Sequence, residues 1–179
     1  DKEYLPIEGD SAFRRLSAAL VFGNESAALA EARCATLQTI SGTGALSVMA
    51  RALQQIAGVT TIHVPSPSWG NHRHIFRKSG LKVESYAYLD PNTGTTLDFG
   101  AMHSALSALP AGSAVLLHAC AHNPTGIDPT ASQWSELADL FLSRGLLAVF
   151  DSAYQGYASG DLAADAASIR VFELAGVLP

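Results

Sequence analysis

Residues 114–151 read AVLLHACAHNPTGIDPTASQWSELADLFLSRGLLAVFD, and the order of patterns in that stretch decides the fold. Ala114–Ala119 is a short apolar run, as expected of a strand buried on both faces. Pro124 and Gly126 then break the chain into a turn. Ser132–Ser143 carries Trp134, Leu137, Leu140 and Phe141 at helical spacing, the inner face of an amphipathic helix. Gly145 stands where a C-terminal cap belongs, and Leu147–Phe150 is a second apolar run. A strand, a crossover helix and another strand form the unit that sets two strands parallel.

The same alternation extends towards the N-terminus. Thr36–Ile40, Thr61–Val64 and Val83–Tyr88 read as further strands. Ser11–Phe22 reads as a helix with Phe13, Leu16, Leu20 and Val21 on one side. Ala45–Ala57 is a second, with Leu46, Met49, Leu53 and Ile56 inward, and Gly70–Ser79 and Phe99–Leu109 follow. Gly58 and Gly80 are further cap candidates, and Pro91–Gly94 is a turn. The expected fold is α/β, a mainly parallel sheet with helices on both faces. Ligands of such sheets gather at the carboxyl ends of the strands, so the residues just past each strand carry the functional information.

Composition narrows the classes. The 179 residues are 48% apolar and 15% charged, enough for a core in one domain or a large part of one. A net charge of −5 argues against a nucleic-acid or anionic-membrane partner. Arg14-Arg15 and the Arg73/Arg77/Lys78 group read as solvated helix faces. Cys34 and Cys120 both sit in apolar company without metal-ligand spacing, so buried free thiols in a reducing compartment are expected. No apolar run is long enough to span a bilayer, and no signal peptide is recognisable. The first residue is Asp1 rather than Met, so a targeting segment ahead of it stays open. A cytoplasmic location is expected, with the mitochondrion as the alternative.

Four junctions carry chemistry. The first strand runs into Ser41-Gly42-Thr43-Gly44 ahead of the helix at Ala45, a junction of small and hydroxyl residues that suits either a phosphate cup or a plain cap. Trp69 lies just past a strand beside Pro65 and Pro67, as a surface for a planar ring or as a core tryptophan. His122-Asn123-Pro124-Thr125-Gly126 presents an amide from a turn, or is simply a turn. Asp151 ends a buried strand with no cation nearby in sequence. It wants a protonated ring nitrogen, a distant arginine or a helix to cap. Together these junctions describe a receptor for a phosphorylated pyridinium.

HNPTGIDP at 122–129 and DSAYQG at 151–156, with SGTGAL at 41–46, Pro67-Ser68-Trp69 and KEYLPI at 2–7, resemble the aspartate aminotransferase family, the class I branch of fold-type I pyridoxal 5'-phosphate (PLP) enzymes. Gly70 departs from the proline the family often has after the tryptophan. The resemblance spans essentially the whole chain and implies part of the PLP-binding large domain over 1–179. It implies that Ser41, Gly42 and Thr43 hold the cofactor phosphate and that Trp69 stacks on the ring. Asn123 and Tyr154 would bond the phenolic oxygen, and Asp151 would pair with the pyridinium nitrogen, with His72 supporting it. Tyr4 would reach the phosphate of a neighbouring subunit, which implies a homodimer. Ser66-Pro67 and Asn123-Pro124 would be cis.

The implied reaction is transamination between L-aspartate and 2-oxoglutarate. An aromatic-amino-acid aminotransferase and a non-catalytic dimerisation or regulatory protein are the alternatives. A nucleotide-binding domain is remote, since neither a Walker loop nor GxGxxG is present. The lysine that anchors the cofactor is expected beyond Pro179, together with the small domain and the substrate arginines. The only lysines are Lys2, Lys78 and Lys82, none in a family-like Ser-x-x-Lys setting after the strand that leads to Asp151 and Tyr154, so residues 1–179 alone are expected to be inactive.

Overall fold

A computed structural model describes residues 3–178. Lys2, at the start of the N-terminal match, and Pro179 lie outside the described residues. The elements run α1 (Ser11–Phe22), α2 (Ala27–Ala30), α3 (Ser41–Gln55), β1 (Thr61–Ser66), α4 (Gly70–Lys78), β2 (Lys82–Ala87), α5 (Phe99–Ser107), β3 (Ala114–His118), α6 (Ala131–Arg144), β4 (Leu147–Asp151), α7 (Leu162–Asp165) and α8 (Ala167–Leu174). The four strands form one sheet in the order β2-β1-β3-β4, and every pairing is parallel.

Alternation along β3 shows why both faces are covered. Ala114 and Leu116 pack with Leu46, Leu53 and Phe76 from α3 and α4. Val115 and Leu117 pack on the other face with Met102, Leu137, Phe141 and Phe172 from α5, α6 and α8. Successive side chains on a strand point to opposite faces, so an all-apolar strand serves two cores at once. Thr130 caps α6 in a reciprocal box with Gln133, which satisfies two of the N–H groups that a helix start leaves open. Gly145 closes the helix at φ +63, and Leu146 N–H bonds back to the Phe141 carbonyl. This is the left-handed cap that glycine allows without strain.

Three expectations need correction. Thr36–Ile40 is not a strand; of its backbone N–H groups, that of Gln38 goes to the Glu8 carbonyl, and neither edge of the sheet pairs with it. A short run bearing Leu37 and Ile40 can suit a strand, but a strand exists only where a neighbour supplies the ladder. The second long helix begins at Ser41, not Ala45, so the small residues read as a loop are its first turn. Cys120 is buried, but Cys34 is only half-buried. It lines a groove with Arg14 and Asn24 instead of joining a core. Helix α1 forms as read yet buries none of its residues. Phe13 and Leu16 are 52% and 58% exposed. No helix among the described residues is long and apolar enough to cross a membrane.

Candidate active site

The chain switches sides between β1 and β3, since β2 lies on one flank of that pair and β4 on the other. A crevice opens at the carboxyl ends of strands at such a switch. Here it is a cleft of about 470 Å³ lined by Ser41, Gly42, Thr43, Trp69, Asn123, Asp151 and Tyr154, among others. Strand β1 leads to Trp69, β3 to Asn123, and β4 ends on Asp151. Because β1, β3 and β4 are neighbours, residues distant in sequence share one wall. Ser66-Pro67 and Asn123-Pro124 are both cis, as the resemblance implies.

At one end of the cleft is the first turn of α3. Ile40 offers no side-chain cap, and the N–H groups of Gly42 and Thr43 find no acceptor among the described residues. A methyl group built on Gly42 would meet no atom within 4 Å, so the space beside it is open cleft. Free N–H groups at a helix start, next to room for a ligand, favour an anion. Trp69 packs against the core on the α3/α4 side and also lines the cleft. Trp69 therefore has one side on the core and another on the cleft wall.

Beneath the cleft is a directed chain of hydrogen bonds. The Asn123 backbone N–H donates to His118 Nδ1 at 3.2 Å, so the His118 proton sits on Nε2. Nε2 lies 3.3 Å from Ser68 Oγ, and Ser68 Oγ lies 2.8 Å from His72 Nδ1. With Ser68 receiving from His118 and donating to His72, the His72 proton must be on Nε2. That nitrogen donates to Asp151 Oδ2 at 2.7 Å. The backbone thus fixes the tautomer of each ring in turn. Burial, with the neighbouring His122 and His72, pulls the His118 pKa down to about 3. Burial, then His72, pulls His122 down to about 4.

Asp151 is the one carboxylate among the cleft-lining residues. Its side chain is 21% exposed, and His72 is its sole side-chain partner among the described residues. A partly buried carboxylate facing a cleft with no Lys or Arg beside it suits a cationic ligand atom. Neither described lysine lines the cleft. Lys82 begins β2 and pairs with Glu84, and Lys78 is in the last turn of α4.

His72 is fully buried and is not among the residues lining the cleft. Tyr154 lines the cleft at 40% exposure, while Tyr4 is fully exposed and lies outside it. Sequence reasoning missed Ser68 and His118, whose part depends on ring tautomers. It also missed Asp128 and Asp165, which bond the loops carrying Asn123 and Tyr154. The one available signal was an aspartate soon after each loop.

Known proteins match this chain over nearly its whole length. Cytoplasmic aspartate aminotransferase of Oryza sativa subsp. japonica is 52% identical over 171 residues, 96% of this chain and 42% of the relative. The structure of cytoplasmic aspartate aminotransferase from Giardia lamblia superposes with a TM-score of 0.95 at 38% identity, covering 99% of this chain and 42% of that one. An aromatic-amino-acid aminotransferase from Burkholderia pseudomallei, covalently bound to pyridoxal phosphate, superposes at 0.93 and 37% identity, covering 98% and 43%. The chain thus spans less than half the length of the relatives it matches. The profile described as aminotransferase class I and II matches residues 1–177, and with the fold and cleft in agreement the chain belongs to that family.

Proposed function

We propose that the protein carrying this chain is a PLP-dependent aminotransferase exchanging the amino group between L-aspartate and 2-oxoglutarate. The observation that carries the reading is Asp151, a carboxylate facing the cleft with a directed donor behind it and no cation in front. The residues present fit PLP. Its phosphate suits the free N–H groups of Gly42 and Thr43 with the Ser41 and Thr43 hydroxyls, and the open space at Gly42 gives it room. When bound, PLP supplies a protonated ring that takes up the electron pair left when the substrate amino acid loses its α-proton.

The chain's own residues would prepare for that chemistry. Asp151 holds the proton on the ring nitrogen, and the His72 donor keeps Asp151 aimed. Trp69 presents a flat apolar face that fixes the ring plane and keeps water off one side. The Asn123 amide and the Tyr154 hydroxyl donate to the phenolic oxygen from two loops. Tyr4, fully exposed and outside its own cleft, suits the phosphate of a second subunit, so a homodimer is the working unit. A lysine from outside these 179 residues would anchor the cofactor and carry the substrate proton. Two free thiols suit a reducing compartment such as the cytoplasm.

The likeness to an aromatic-amino-acid aminotransferase at a TM-score of 0.93 supports a second reading with the same cradle. The test uses the protein expressed over its full natural reading frame with PLP. Oxaloacetate formed from L-aspartate, faster than phenylpyruvate from L-phenylalanine, supports the first reading, and the reverse order supports the second. No transfer from either amino acid contradicts both.

A further inference from the structure

Two carboxylates outside the cleft hold the loops that deliver Asn123 and Tyr154. Asp128 Oδ2 accepts from the Ala121 N–H at 2.6 Å and Oδ1 from the His122 N–H at 2.9 Å, immediately before Asn123. Ala121 sits at φ +46, a left-handed conformation that costs a residue with a Cβ energy and persists only where its surroundings enforce it. Tyr88 braces the same loop. Its hydroxyl donates to the Ile127 carbonyl at 2.6 Å, and its ring stacks on His122 at 3.9 Å.

Asp165 does the same for the other loop. It is 4% exposed, and it accepts from the N–H groups of Gly156 at 2.8 Å, Ala158 at 3.2 Å and Ser159 at 3.1 Å, just past Tyr154. The Ser159 side chain, with these backbone N–H groups, holds its carboxyl below the usual carboxylate range against the opposing effect of burial. Neither aspartate lines the cleft. Both border a separate cavity of about 320 Å³ behind the loops. A buried ionised carboxylate that collects several backbone N–H groups fixes a loop far more firmly than a neutral acceptor does.

We propose that Asp128 and Asp165 are positioning residues for the cofactor's phenolic oxygen, Asp128 aiming Asn123 and Asp165 aiming Tyr154. The inference rests on the cleft reading above, in which those two side chains donate to that oxygen. Donation favours the ionised form of the bound chromophore. Loosening either loop should therefore raise the pH at which the absorbance of bound PLP changes, which a merely structural staple would leave in place.

The experiment is a pH titration of that absorbance in the PLP-loaded protein of full natural reading frame. Asn123→Ala and Tyr154→Phe are expected to raise the midpoint by about half a unit or more. Asp128→Asn should raise it in the same direction and add nothing further to Asn123→Ala, and Asp165→Asn should behave likewise with Tyr154→Phe. Wild-type midpoints in both asparagine variants, with Asn123→Ala and Tyr154→Phe shifted, overturn the inference alone. If Asn123→Ala and Tyr154→Phe do not shift either, the cleft reading falls and takes the inference with it. If Asp128→Asn does not fold, Tyr88→Phe loosens the same loop with both carboxylates intact. A raised midpoint there supports the inference, and an unmoved one overturns it for Asn123.

Discussion

His72 Nε2 donates to Asp151 Oδ2 at 2.7 Å, across 79 residues of sequence, from a ring with no exposed surface. The geometry is set from further back. The Asn123 backbone orients His118, His118 orients Ser68, and Ser68 leaves His72 its proton on the nitrogen that faces Asp151. The carboxylate is thereby supported from below while its cleft side stays free for a cation.

His72→Ala should destabilise the protein by about 2–4 kcal/mol, because it leaves a cavity and takes the donor from a partly buried carboxylate. Turnover should fall about tenfold, less than on loss of Asp151 itself, since the carboxylate remains. Urea unfolding and initial rates on the same preparations check both.

Gly42→Val separates fold from binding. The position is not in the left-handed region, and a side chain there would enter open cleft rather than protein. The thermal midpoint should move by no more than about 2 °C, while PLP affinity should fall at least about tenfold because the added methyls occupy the phosphate space. Equilibrium titration with PLP reads the second quantity.

Stability should fall in mild acid. Unfolded, His118 and His122 take up protons near pH ~6.5; folded, they resist until about 3 and about 4. Their folded pKa values are depressed, so the neutral-imidazole contribution is fully present above pH ~6.5. It is lost as pH falls through that value towards the folded pKa values, by up to ~1.4 kcal/mol per pH unit for each ring. Urea midpoints between pH 7.5 and 4.5, about the span of that window, should decline. His118→Gln should lower the curve throughout but make it shallower.

The parts legible in the sequence were those set by local pattern. β3 and β4 are short apolar runs because each serves two cores, and α6 announces itself through Trp134, Leu137 and Phe141. Thr36–Ile40 misled because a short run of strand-forming residues reports what could pair, not whether a partner arrives. Asp151 was legible as a carboxylate in need of a cation. The tautomers of His118 and His72 were not, since they depend on a backbone N–H and a serine from other segments. Asp128 and Asp165 escaped because an aspartate that binds mainly backbone N–H groups has no charged partner to spot.

The central claim is that Asp151 holds a proton on the ring of PLP, and Asp151→Asn tests it most directly. Asparagine keeps the shape and still accepts from His72, so PLP should remain bound and the fold intact. Transamination of L-aspartate by the PLP-saturated variant of full reading frame should nonetheless fall at least about a hundredfold, some 2.7 kcal/mol of barrier. A variant that binds PLP and turns over within about threefold of the wild-type rate would contradict the account.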